Sequence, residues 1–233
     1  MTSEDLQRYK KVQTIARETI EYLKSFIKEG VSEKEIKETS EKFMKEKGIN
    51  HYWYHNIGAM VFVGKRTTVS IGKEYQPTNI KVQLEDLVTV DLSPEIDGFW
   101  GDFARSFIII NGKVGEINMS KIPEITQGVE VETIVHKKFQ NIITEEMSLQ
   151  EAYVKMNLFI DKLGFENLDF KKNLGHSIEK NIDDRKYIEA GNNIKFREID
   201  LFTFEPHLKK KNGYYGVRLE NIYYFDNGKV EVL

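Results

Sequence analysis

The stretch LVTVDLSPEIDGFWGDFARSFIII, residues 87–110, decides how this chain folds. Leu87 to Leu92 is aliphatic and β-branched apart from one aspartate, which predicts a strand. Asp97-Gly98 is a strong hairpin-turn signal. Phe103 to Ile110 returns as the partner strand, and Asn111-Gly112 ends it. With Asp97 and Gly98 as the two central turn residues, partner positions sum to 195. Asp91 then faces Ala104, and Asp102 faces Ser93. Positions two apart share a face of a sheet. Asp91 and Asp102 are therefore expected as diagonal neighbours with Cβ atoms about 7 Å apart. Two carboxylates at that spacing repel unless a cation lies between them.

Further along, three more metal-type ligands occur beside strand-like runs or glycines: His176 after Gly175, Glu205 before Pro206, and Glu220 in a β-rich run. Four carboxylates and one imidazole can hold a pair of divalent cations. A donor set rich in oxygen with one nitrogen suits Mn²⁺, Fe²⁺, Co²⁺ or Zn²⁺. The chain has no cysteine, so thiolate sites and disulfides are excluded.

Helix signals surround these strands. Ser3 is expected to cap a helix to about Lys28, stopped by Gly30. Ser32 with Glu35 forms a capping box for a second helix ending near Gly48, and Ser148 with Glu151 does the same for one ending at Gly164. Another helix is expected over 121–143. Two or three short strands are expected between Tyr52 and Ile71. Leu201–Glu205, Val217–Phe225 and Lys229–Val232 read as strands, with His207–Gly216 as a loop. Two helices then strands, twice over, predicts an α+β domain with internal pseudo-symmetry.

Composition sets the broad class. With 30% charged and 40% hydrophobic residues, the 233-residue chain reads as globular. A net charge of −3 argues against a general nucleic-acid binder. The start, MTSEDLQRYKKVQ, has no apolar leader, and no stretch is apolar enough to span a membrane, so a cytoplasmic home is expected. Asp86, Asp97, Asp183 and Asp184 read as solvated turn residues. His136, within VHKKF, reads as a surface group, and His51 as structural or exposed. Trp53, Tyr54 and Trp100 read as core or cleft wall.

Four strings carry a resemblance. VDLSPEIDGFWGDFARSF (90–107) resembles the first metal motif of the M24 metallopeptidases, the group of methionine aminopeptidases, Xaa-Pro aminopeptidases, prolidases and creatinase. NLGHSIE (173–179) resembles the segment bearing the ligand histidine. LFTFEP (201–206) resembles a Thr-Ile-Glu-Pro segment, and GVRLENIYYF (216–225) the Gly-Val-Arg-x-Glu segment of the Xaa-Pro branch. The resemblance implies a pita-bread fold, a pseudo-symmetric antiparallel sheet covered by helices. It implies one catalytic domain over 1–233, without the additional N-terminal domain of most Xaa-Pro enzymes, and a homodimer among the open oligomeric states. It also implies roles. Asp91 would chelate one ion, Asp102 and Glu220 would bridge both, and His176 and Glu205 would complete the coordination of the other ion. Glu205 would shuttle protons, while Arg105 and Arg218 orient the carboxylates by charge-assisted bonds.

The chain departs from that pattern at three positions. Glu74, in GKEYQPTN, stands where a histidine is usual; Asp183 stands where a second is usual; and Glu179 replaces a glycine. Those histidines normally bind the substrate carbonyl. His207 and His55 are the candidates to replace them. The expected function is hydrolysis of an amide near the N-terminus of small peptides by metal-activated water. The alternatives are hydrolysis of a non-peptide C–N bond, and a non-catalytic peptide-binding module.

Overall fold

The computed structural model describes residues 1–169 and 171–233. Helix α1, Ser3–Phe26, is capped by Thr2 rather than Ser3: the Thr2 hydroxyl accepts from the Asp5 amide, and the Asp5 carboxylate returns to the Thr2 backbone. Helix α2, Glu33–Glu46, begins with the expected Ser32–Glu35 capping box. The apolar stripe of α1 (Val12, Ile15, Ala16, Ile20 and Leu23) is buried against the first sheet.

Strand β1 is His51–Tyr52 and β2 is Ala59–Val63. After Lys65 and Arg66 in a short 3₁₀ turn, the chain reaches β3, Asp86–Leu92, in which every residue is buried. The expected hairpin follows in two parts. Pro94–Ile96 (β4) pairs with Phe99–Trp100 (β5), and β3 pairs with β6, Phe103–Ile110. Asp91 faces Ala104 and Glu95 faces Trp100, so the register sums to 195 in both parts. Asp97 and Gly98 both take left-handed φ (53° and 80°), as a tight primed turn demands. Strand β7, Lys113–Val114, closes a four-stranded sheet in the order β2-β3-β6-β7.

The second half repeats the plan. Helix α3 is Pro123–Ile142, and α4, Leu149–Lys162, starts at the Ser148–Glu151 capping box. Strands β8 (Phe165–Asn167), β9 (Phe202–Phe204), β10 (His207–Lys210), β11 (Gly216–Arg218), β12 (Asn221–Asp226) and β13 (Lys229–Val232) follow. They form two three-stranded ladders, β13-β12-β9 and β11-β10-β8. Residues 207–210 were expected in a loop. They form a strand because β8 and β11 flank them on both sides and satisfy their backbone. The run 217–225 is not one strand; it breaks at Leu219–Glu220.

Each half has its own core: α1 and α2 over the first sheet, and α3 and α4 over the second. An aromatic cluster including Tyr9, Trp53 and Trp100 lies between. The halves meet where Arg105 bridges Leu219 and the Glu220 amide donates to the Ala104 carbonyl (3.0 Å). This is the α+β pita-bread architecture. Two buried groups correct the sequence expectations. His136 is only 5% exposed on α3, between the Tyr223 hydroxyl and the Leu219 carbonyl at 2.8 Å each. Asp86 is buried and accepts from the Gln83 and Leu87 amides. In both cases packing between elements covers a residue whose local neighbours are polar.

Candidate metal centre

Five side chains from five segments converge at the junction of the halves. Asp91 comes from the middle of β3. Asp102 comes from the irregular link before β6, where the Gln13 amide of α1 clamps both of its backbone groups: Nε2 donates to the Asp102 carbonyl (2.7 Å), and the Asp102 amide donates to Oε1 (3.1 Å). Glu220 comes from the break between β11 and β12. Asp91, Asp102 and Glu220 each place a carboxylate oxygen within 4.8 Å of the others, and all three are buried.

His176 and Glu205 close the group. The His176 Nε2 lies 3.5 Å from Asp102 Oδ2 and 3.4 Å from Glu205 Oε1. Its Nδ1 faces the Ser177 carbonyl at 3.0 Å, and a carbonyl only accepts, so the ring proton belongs on Nδ1. Burial, with Arg185 nearby, pushes the imidazole down to about 3, so it is neutral. Its Nε2 lone pair therefore points at two carboxylates. Thr203 sets both neighbours: its Oγ1 accepts from the His176 amide and donates to Glu205 Oε1, each at 3.0 Å. Gly175 allows this approach. Its φ is +142°, and a Cβ there would lie 2.3 Å from the Thr203 carbonyl oxygen.

The electrostatics favour a cation. Asp102 is pushed well above the ordinary carboxylate range by burial and then by Glu205; Glu220 likewise, by burial and then by Asp102. Glu205 is pushed up to about 7, first by enclosure and then by Asp91. Among the described residues, neither oxygen of Glu220 has an N–H or hydroxyl partner. Buried carboxylates without donors and a lone pair aimed at acceptors are unfavourable by themselves. Divalent cations among these atoms would satisfy them all, so the residues fit such ions.

The two arginines differ in what they hold. Arg218 Nη1 donates to Asp91 Oδ2 at 3.3 Å. Arg105 lies over the Phe103 ring and donates to the Ala104 and Glu220 carbonyls and to Asn221, so it fixes the backbone of Glu220 rather than its carboxylate.

Above these residues opens a cleft of about 380 Å³. His207 is in its wall, but both ring nitrogens are engaged. Nε2 donates to the Thr67 carbonyl (2.7 Å), and Nδ1 accepts from Arg218 Nη2 (3.2 Å). It is held neutral by burial. It therefore positions Arg218 and has no proton to offer a substrate. His55 is exposed and is not among the lining residues. Glu74 and Asp183 are exposed and also stand outside the lining. Glu179 binds the Ser177 hydroxyl and Lys186.

The lining also holds groups that sequence reasoning missed. Arg185 lies 5.1 Å over Trp53 and 5.3 Å over Tyr187, and its Nε donates to the Ile182 carbonyl. No carboxylate of the described residues pairs with it. A cation only nine residues after the ligand histidine was the available signal, in a string otherwise read as a solvated turn.

Fold and donor set together define a pita-bread domain with a candidate metal centre. The profile of metallopeptidase family M24 matches residues 7–227, and the chain belongs to that family. Among solved structures, the fold is similar to X-Pro aminopeptidase from Thermotoga maritima at 18% identity and TM-score 0.82, covering 100% of this chain and 61% of that one. It is similar to prolidase from Pyrococcus furiosus at 21% identity and TM-score 0.80 (99% and 64% covered). It is also similar to methionine aminopeptidase from Rickettsia prowazekii at 14% identity and TM-score 0.77 (100% and 97%). The chain thus spans about three-fifths of the aminopeptidase and prolidase structures. No curated protein matches it in sequence. Among the described residues, no helix is long and apolar enough to cross a membrane.

Proposed function

We propose that this domain hydrolyses the amide bond of very short peptides, Xaa-Pro dipeptides first among them. Asp91, Asp102, Glu220, His176 and Glu205 would hold two divalent cations of the Mn²⁺, Co²⁺, Fe²⁺ or Zn²⁺ group. When bound, such a pair activates water and polarises a scissile carbonyl.

The chain's own residues supply the rest. Glu205 is the most exposed of the four carboxylates, its side chain 26% accessible against 10% or less for Asp91 and Asp102. Beside the attacking water, its carboxylate would take a proton and return it to the leaving nitrogen. Thr203 holds its carboxylate in place. Arg218 and His207 keep Asp91 oriented.

One observation carries the preference for dipeptides: Arg185, stacked against Trp53 and Tyr187 and without a carboxylate partner among the described residues, stands in the wall of the same cleft. A guanidinium fork matches a carboxylate. The free C-terminus of a dipeptide lies only one residue from the scissile bond, and Arg185 would receive it there.

The test uses protein loaded with Mn²⁺ or Co²⁺ and a set of Xaa-Pro dipeptides, tripeptides and their C-terminal amides. Ala-Pro is expected to be cleaved, and its amide about 100-fold less efficiently, as expected for the loss of a charged hydrogen bond. Loaded protein that cleaves no peptide sinks the reading. Turnover of another C–N compound instead would move the function to non-peptide hydrolysis.

A further inference from the structure

The two positions that should carry carbonyl-binding histidines are exposed residues outside the cleft, and His207 is engaged on both nitrogens. Amide hydrolysis still needs a donor for the oxygen that becomes negative. We propose that Tyr54 is that catalytic residue, its hydroxyl donating to the carbonyl oxygen as water adds to the amide. In the step, Glu205 takes one proton from the water as its oxygen bonds to carbon and the carbonyl π pair moves to oxygen. Tyr54 stabilises that charge without giving up its proton. Collapse then re-forms the carbonyl and breaks the C–N bond, and Glu205 protonates the departing nitrogen.

Four observations converge on this residue. Tyr54 lines the cleft. Its hydroxyl rests against Gly72, where a Cβ would come within 3.0 Å of it. Among the described residues, that hydroxyl has no hydrogen-bond partner, whereas the Ser93 hydroxyl is bonded to Ile57 and Arg218 to Asp91 and His207. The turn that presents it is strained: His55 and Asn56 both take left-handed φ, 48° and 61°. Such conformations persist where surrounding structure enforces them, and they cluster at functional sites. Here the Ile57 amide closes the turn onto the Tyr54 carbonyl (2.8 Å), and Trp53 is anchored by its indole N–H to Gly101 (2.8 Å).

The phenol also keeps its proton. Burial pushes it up to about 12; Arg185 pulls it down, while Asp91 and Glu205 push it up. The other cleft phenol, Tyr187, lies under the Arg185 guanidinium (5.3 Å) and edge-on to His176 (5.7 Å).

This assignment rests on the amide-hydrolase reading, and the experiment separates the two. Wild-type protein and Tyr54→Phe are loaded with Mn²⁺ and checked for equal metal content and melting temperature. Turnover of Ala-Pro is then measured beside binding of a phosphinic Ala-Pro isostere, read by tryptophan fluorescence. For Tyr54→Phe, kcat is expected to fall about 10²–10³-fold with KM within threefold, and phosphinate affinity to fall in parallel. A variant within threefold of wild type in both kcat and phosphinate affinity overturns the proposal. So does a wild-type protein that does not bind the phosphinate. Wild-type protein that binds phosphinate more tightly than the variant yet cleaves no dipeptide upholds Tyr54 and overturns only the substrate.

Discussion

Replacing Glu220 with glutamine should stabilise the metal-free protein at high pH while abolishing its response to metal. The carboxylate oxygens of Asp91, Asp102 and Glu220 lie within 4.8 Å of one another. Two unit charges at that distance repel by about 3.5 kcal/mol at an effective dielectric near 20. Arg218 offsets this only at Asp91. Asp102 and Glu220 therefore have raised pKa values, by burial first and mutual repulsion second. A carboxylate raised above its unfolded value contributes its full stability below that value, near pH 4, and loses it as pH rises. From pH 5 to pH 8 this pair should accordingly pull the metal-free protein down, against the upward slope that the buried histidines supply. Glutamine mimics the protonated acid, so Glu220→Gln should match wild type within about 1 kcal/mol at pH 5. At pH 8 it should exceed wild type by up to about 3 kcal/mol, or roughly 6–12 °C in melting temperature for a chain of this size. Mn²⁺ should reverse the order, raising wild type and leaving the variant unmoved. Thermal melts at the two pH values, with chelator and with Mn²⁺, measure all of this. Parallel metal-free melts across pH, or an equal gain from Mn²⁺ in both proteins, would refute the electrostatic account of the cage.

Three further outcomes are expected. Gly175→Ala drives a methyl into the Thr203 carbonyl at a φ of +142°, and should cost about 3–5 kcal/mol and weaken Mn²⁺ affinity, as calorimetry would show. His207→Ala leaves the buried Thr67 carbonyl and one face of Arg218 without partners; a loss of about 2–4 kcal/mol in denaturant melts is expected, with metal affinity falling as Asp91 loosens. His136 is held down to about 3, mainly by burial. Below its unfolded value near 6.5 the unfolded chain takes up a proton that the folded one refuses, so by pH 5 this group alone removes about 2 kcal/mol. His136→Gln should flatten the stability profile between pH 7 and 5; an unchanged slope would rule out His136 as its source.

Much of the molecule was written locally. The hairpin register follows from Asp97-Gly98, because a two-residue turn with left-handed φ leaves one pairing. The boxes at Ser32 and Ser148 are hydrogen-bond circuits between residues three apart, and they need nothing beyond their own sequence. The strings around Asp91, Asp102, His176, Glu205 and Glu220 named the residues that the fold brings together. Contacts across long separations were not legible in this way. Residues 207–210 are polar enough to read as loop, and became a strand only because two neighbours flank them.

The sequence by itself determined turns, caps and the identities of the acidic and imidazole groups, since these depend on backbone angles and short-range hydrogen bonds. Only the tertiary structure decided which donors reach the cleft. It committed His207 to Thr67 and Arg218, left His55 in solvent, buried His136, and set Tyr54 and Arg185 in the wall. Those outcomes depend on how two separately cored halves dock, through contacts such as Arg105 to Glu220 across 115 residues. No local pattern encodes that docking, because the burial driving it belongs to surfaces assembled from both halves.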